Sequence, residues 1–302
     1  MTTRFLRRCG LLPLLTAVLT ACGGGGGAGA ATPTPVAVTP TATPTPTPPV
    51  TTPSTWTLTW SDEFEGAAGS LPNPANWGYD LGNKEADGFG NHELQYYTAA
   101  PRNAQLDGTG QLIITAEKSA TAGPCWNGAA CAYTSARLLT KGKQTYTYGK
   151  VEARIKFPGG AGIWPAFWSL GEGAAWPNAG EIDIMEFVGK TPNSVYGTAH
   201  GPGYSGAQGI GKARDTATGW PNDFHVYTVI KRPNEIIWQV DGVEFHRLTP
   251  ASLPTGASWV FERSYFIILN LAVGGDWPGA PDANTVFPAQ MTVDWVRIYK
   301  EN

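Results

Sequence analysis

The chain has 302 residues, enough for one large domain or two small ones. Its formal net charge of −3, with charged residues at only 15%, supplies no basic field of the kind that holds nucleic acid. Gly (38), Trp (12) and Tyr (11) suit a loop-rich β protein with rings turned to a ligand, and the four cysteines, Cys9, Cys22, Cys125 and Cys131, form no C-x-x-C pair that would support a zinc site.

In chain order, Arg4, Arg7 and Arg8 precede an apolar run over residues 11–19 that is too short to remain as a bilayer span. Residues 1–21 therefore read as a signal segment. It ends in Leu19-Thr20-Ala21-Cys22, which resembles a bacterial lipobox and predicts cleavage before Cys22 with a lipid on its thiol. An ordinary signal cleaved nearby is the alternative. Residues 22–55 are low-complexity: a Gly run, flexible in water, then repeated Thr-Pro, which favours extended polyproline II. Such a stretch cannot bury apolar surface and reads as a tether. The expected localisation is export, to the cell surface or outer membrane as a lipoprotein, or otherwise free secretion. Gly23 after the cysteine, in place of Asp, argues against inner-membrane retention.

From residue 56 the pattern becomes that of strands. Segments 111–116, 151–156, 236–240 and 265–269 alternate or run apolar at strand length, and 291–299 follows with Val293, Trp295 and Arg297 expected on one face. Asp241-Gly242 is a hairpin-turn signal. No long stretch has helical periodicity, so residues 56–302 predict one all-β domain, an antiparallel β-sandwich. Cys125 and Cys131 lie in a Gly/Ala-rich loop. In an exported protein they predict a disulfide that stiffens a short loop, with two free thiols as the alternative.

The informative segment is Gly180-Glu181-Ile182-Asp183-Ile184-Met185-Glu186-Phe187. Strand alternation puts Glu181 and Asp183 on one face and Ile182 and Ile184 on the other. Strict alternation would bury Glu186 with the isoleucines, at a high electrostatic cost. A β-bulge at Met185 restores the parity and returns Glu186 to the face of the other two acids. Three carboxylates on one strand face repel one another, and a purely structural strand gains nothing from them. A glycosidase does: one carboxylate attacks the anomeric carbon while another, kept protonated, donates to the leaving oxygen. A solvated acidic face and a calcium loop are the competing readings, and bulky Ile and Met between the acids argue against the loop.

This segment resembles the signature of glycoside hydrolase family sixteen in its bulged, laminarinase-like form. The resemblance runs from Trp60-Ser61-Asp62-Glu63-Phe64 to Val293-Asp294-Trp295-Val296-Arg297-Ile298-Tyr299. It takes in Asn91-His92-Glu93-Leu94-Gln95, Thr134-Ser135-Ala136-Arg137-Leu138, Gly162-Ile163-Trp164-Pro165-Ala166-Phe167-Trp168, Gly197-Thr198-Ala199-His200-Gly201 and Asn270-Leu271-Ala272-Val273-Gly274-Gly275-Asp276-Trp277. It implies a β-jelly roll with a concave cleft, and a retaining endo-hydrolase of β-1,3-glucan that also accepts mixed-linkage glucan. It further implies Glu181 as nucleophile, Glu186 as acid/base and Asp183 as the group between them that tunes their protonation. A non-catalytic β-glucan-binding protein on the same fold, and a hydrolase of another polysaccharide such as agar, are the rival readings. The intact Glu181, Asp183 and Glu186 argue against the first.

Trp164 and Trp168, at even spacing, offer flat rings to sugar C–H faces, with core packing as the alternative. Pro165 argues against a central strand position beside Trp164. Trp277, between Gly275 and Pro278, reads as a loop ring open to ligand. Asn91 and Arg137 sit in motifs that resemble the family's sugar-contacting positions, though as single residues they serve equally as turn or surface groups; His200, in the Gly-Pro-Gly loop, is expected to bond a sugar hydroxyl or the nucleophile's partner, with a satisfied structural histidine as the alternative. The resemblance also implies a structural calcium at Glu63, Gly108 and Asp294, with no catalytic role and no cofactor for the chemistry. The expected partner is the glucan alone, bound by a monomer.

Overall fold

The computed structural model describes residues 55–83, 87–120 and 122–302. The signal-like segment, Cys22 and the tether up to residue 54 lie outside the described residues. The strands are, in order, β1 (Trp56–Asp62), β2 (Gly78–Asp80), β3 (Gln95–Tyr97), β4 (Ala104–Leu106), β5 (Leu112–Lys118), β6 (Tyr133–Ser135), β7 (Arg137–Leu139), β8 (Thr145–Tyr146) and β9 (Gly149–Lys156). They continue with β10 (Ile163–Gly171), β11 (Glu181–Phe187), β12 (Ser194–His200), β13 (Ile210–Asp215), β14 (His225–Arg232), β15 (Glu235–Val240), β16 (Val243–Leu248), β17 (Tyr265–Val273) and β18 (Ala289–Glu301). Helical structure among the described residues is limited to short turns such as Gly88–His92.

Two sheets form a sandwich. The ten-stranded sheet runs β16-β15-β14-β9-β18-β5-β6-β3, with β1 on β18 and β4 on β5. The eight-stranded sheet runs β13-β12-β11-β10-β17-β7-β2, with β8 on β17. Pairing is antiparallel except between β3 and β6. Strand β9 shows why the sequence folds this way: Val151, Ala153 and Ile155 are buried while Lys150, Glu152, Arg154 and Lys156 are half-buried on the outer face. The inner faces meet in one continuous core that includes Val151, Ile155, Val229 and Trp238 from the larger sheet and Phe167, Ile182, Ile267 and Leu269 from the smaller. All nine residues of β17 are buried. Its odd-numbered side chains enter that core, while Phe266 and Ile268 join Leu139, Trp168 and Leu170 in a separate apolar floor on the other face.

Three details depart from the sequence reading. Val293 does not share a face with Trp295 and Arg297: the pairing of β18 with β9 slips between Val293 and Trp295, so Val293 stays in the core and the other two turn outward. Pro165 does sit in a central strand, between β11 and β17. The ladder to β11 ends at the pair Ala166–Glu186, one residue short of the proline, so the missing N–H falls at a ladder end. Strands also run longer than their apolar cores suggest; β18 covers 13 residues. The hairpin at Asp241-Gly242 has both residues in the left-handed region, φ 50° and 75°, as a type I′ turn requires.

Candidate active site

Strand β11 lies in the middle of the eight-stranded sheet, between β10 and β12. Across β10, Glu181 pairs with Leu170, Asp183 with Trp168 and Glu186 with Ala166; the skipped residue is Ile184. Across β12, Asp183 pairs with Thr198 and Glu186 with Tyr196, so Gly197 alone faces Ile184 and Met185. The bulge thus spans both residues. Both side chains enter the core, and the next residue, Glu186, returns to the outer face with Glu181 and Asp183.

On that face the three acids are linked to specific donors. The His200 Nε2 lies 3.0 Å from the buried Asp183 carboxylate. Trp164 donates its indole N–H to Glu186 at 3.1 Å, and Trp176 donates its indole N–H to Glu181. Glu181, Asp183 and His200 each bring a ligand-type atom within 4.8 Å of the others, the one such group of three among the described residues. Desolvation, reinforced by the neighbouring Asp183, pushes Glu181 up to about 8. Desolvation pushes Asp183 up to about 7. Glu186 rises well above the ordinary carboxylate range, again through desolvation first and then the charges of Asp183 and Glu181. All three acids are thus pushed toward the protonated form, and Glu181 and Asp183, hydrogen-bonded to each other, share a proton between them. The arrangement can keep one acid protonated beside another that ionises.

Aromatic and polar side chains flank the acids on this face. Trp164 and Trp168 both lie on the acid face. Trp164 is largely covered, and Trp277 packs edge-on against it with ring centroids 5.6 Å apart and against Tyr196 at 5.1 Å. Trp168 remains half-exposed and donates its indole N–H to Asn270 at 2.7 Å. Arg137 is buried, its Nε 2.9 Å from Asp80, with its guanidinium 4.7 Å from the rings of both Trp168 and Phe89. Asn91 sits in the turn Gly88–His92, where Phe89 and His92 adopt left-handed backbone conformations. Its carbonyl accepts the N–H of Asp276, which ties it to the loop carrying Trp277.

Several participants escaped the sequence reading. Trp176, Asn270, Tyr97 and Glu93 all belong to this region. Glu93 is buried and accepts bonds from Gln95, Tyr97 and Asn91, and the Tyr97 hydroxyl in turn accepts from Asn270. A charge inside the otherwise apolar and amide-rich run after His92 was the available signal for Glu93. Cys125 and Cys131 form a disulfide. It closes the loop whose Trp126 ring lies 4.4 Å from His92.

The two carboxylates expected at a calcium site are each held by an arginine. The Glu63 carboxylate is held by Arg297 through two bonds of 2.8 and 2.9 Å, and one oxygen of Asp294 pairs with Arg154 at 2.7 Å. A guanidinium already neutralises each acid. What remains are the main-chain carbonyls of Glu63 and Gly108, which accept no hydrogen bond among the described residues, and the second oxygen of Asp294. Strand pairing of Asp62 with Val296 brings Glu63 toward Asp294, and a Cβ on Gly110 would lie 3.5 Å from the Glu63 carbonyl. Hard oxygen donors of this kind fit calcium.

Comparison with known proteins places these features in context. The model of the family described as glycosyl hydrolases family 16 matches residues 92–297. A β-glucanase of Rhodothermus marinus is 43% identical over 260 residues, covering 81% of this chain and 85% of that protein. The endo-1,3-1,4-β-glycanase EglC of Rhizobium meliloti is 33% identical, covering 82% of this chain but 52% of its own length. Among solved structures, the endo-β-1,3-glucanase from Pyrococcus furiosus superposes with a TM-score of 0.76 at 46% identity, covering 82% of this chain and 95% of that one.

Proposed function

This chain belongs to glycosyl hydrolases family 16, and from that membership and its bulged acid strand we propose endo-acting hydrolysis of β-1,3-glucan, extending to mixed-linkage β-1,3-1,4-glucan. The chemistry is a retaining double displacement and needs no cofactor. The observation that supports it most is the return of Glu186 to the face of Glu181 and Asp183, where desolvation and their charges favour its protonated form.

In the first step the ionised Glu181 attacks the anomeric carbon while Glu186 passes its proton to the departing glycosidic oxygen. The C–O bond to the leaving sugar breaks as the glycosyl-enzyme ester forms. In the second step Glu186, now a carboxylate, removes a proton from water, whose oxygen attacks the same carbon and releases Glu181. Asp183 lies between the two glutamates and takes up the shared proton when Glu181 ionises. His200 orients Asp183 from the next strand. The Trp176 N–H supports charge on Glu181, and the Trp164 N–H orients Glu186. Trp168, Trp277, Asn91 and Arg137 bind the chain of sugars on either side of the cut.

Two further readings belong to this proposal. Calcium at Glu63, Gly108 and Asp294 stabilises the domain without entering the reaction. Export with a lipid on Cys22 would hold the domain at the cell surface on its Thr/Pro tether, acting as a monomer on glucan outside the cell. Product analysis on laminarin, mixed-linkage glucan and agar tests the activity. A ladder of laminari-oligosaccharides with retained anomeric configuration is expected; glucose as sole product, activity confined to agar, or inversion would refute it.

A further inference from the structure

A bulge is a weak point in a sheet. It leaves an unpaired residue, and slipping back into flat register would turn Glu186 toward the core. Something must hold the backbone where the ladder loses step. Asp183 is the last residue of β11 paired in register with both neighbours before the slip. Its main-chain carbonyl accepts the indole N–H of Trp238 at 2.8 Å. Trp238 belongs to β15, in the opposite sheet, so this bond crosses the core. The ring is fully buried and stacks on His246 at 4.6 Å with planes 22° apart, which fixes its orientation.

The strand on the other side of the bulge makes room for it. Gly197 is the single residue of β12 opposite Ile184 and Met185. A Cβ at Gly197 would lie 2.5 Å from Cδ1 of Trp238 and 2.9 Å from Cζ of Phe245. The two-residue bulge, the glycine facing it and the tryptophan beneath it therefore fit one another. Tryptophan suits the position because it fills a wide gap and still carries a donor. A buried carbonyl that lost this donor would be left short of a partner.

We infer that Trp238 is a positioning residue for the acid/base glutamate: its indole pins the backbone at the bulge and so sets where Glu186 stands relative to Glu181. This rests on the roles proposed above for the two glutamates. Trp238→Phe keeps a ring and removes the N–H. A misplacement of about 1 Å in a reacting group costs on the order of 100-fold, so a partial shift of Glu186 should cost on the order of tenfold. The loss should depend on the leaving group. In kcat/KM, which reports the first step, laminaritriose needs a proton from Glu186 and should lose on the order of tenfold, whereas 2,4-dinitrophenyl β-laminaribioside needs none and should lose less than about threefold. Both substrates are read on one preparation, so a reduced folded fraction cancels in the ratio.

Gly197→Ala, which pushes on the same ring, should produce the same bias, and the double variant should cost less than the product of the single losses. If Trp238→Phe does not fold, Gly197→Ala carries the ratio test alone. Equal losses on the two substrates, or none, overturn the inference. Glu186→Ala measured on the same pair separates the causes. If it too loses equally on both, the acid/base assignment is at fault; if it discriminates and the Trp238 and Gly197 variants do not, only the pinning role fails.

Discussion

Replacing Glu181 by Gln should stabilise the domain, and increasingly so as pH rises. Desolvation and the Asp183 charge raise the Glu181 carboxyl from 4.5 up to about 8. Between those values the folded protein holds a proton that the unfolded chain has released, so folding stability falls as pH climbs through the window. Below it the penalty is absent; above it the penalty is complete. At roughly 1.4 kcal/mol for each tenfold difference in proton affinity, the ceiling is about 5 kcal/mol. Glu181 shares its proton with Asp183, so removing one member lets the other ionise more easily, and about 1–3 kcal/mol is the expected gain near pH 8. For a domain of this size that corresponds to a rise of ~3–9 °C in Tm. Gln preserves volume, its carbonyl can accept from Trp176, and its amide can donate to Asp183, so charge is what changes. Calorimetry of wild type and Glu181→Gln near pH 4.5 and pH 8 measures the effect. The two proteins should melt almost together at the lower pH and separate at the higher. A Tm gap that is independent of pH, or a variant less stable at pH 8, would show that the folded carboxyl is not destabilised as argued. Activity should be lost at every pH.

Azide distinguishes the two glutamates: with an activated aryl β-laminaribioside, Glu186→Ala should form the glycosyl-enzyme, stall, and resume turnover with azide to give the β-azide, whereas Glu181→Ala should give the α-azide. NMR of the products reads the anomer, and the reverse pairing would exchange the assignments. Calcium should raise Tm, by an amount near 2.7 kcal/mol at about a hundred times its Kd, and chelation should lower it; a flat melting curve across both treatments removes the site. Mass spectrometry of the protein from its native host should find a lipid on Cys22, and an unmodified terminus downstream would mean free secretion.

The local half of this protein was legible in its residues. Alternation along 151–156 and the Asp241-Gly242 turn announced antiparallel strands, because side-chain direction and φ are decided within a few residues. The parity conflict at Glu186 announced a bulge for the same reason: a strand has only two faces, and an acid that falls on the wrong one must be moved. Pro165 and Val293 were misread on the same logic, since where a ladder ends or slips depends on the neighbouring strand and not on the strand itself.

The distant half was decided by tertiary structure. Nothing near Asp183 in sequence points to Trp238, 55 positions away on the opposite sheet, nor to the glycine that admits it. The approach of Arg137 to the rings of Phe89 and Trp168, and the turning of Glu63 toward Arg297, likewise follow from which surfaces the fold brings together. The same holds for proton affinity. The sequence shows three acids on a strand, but desolvation is a property of what surrounds them, so only the packed site pushes all three toward the protonated form.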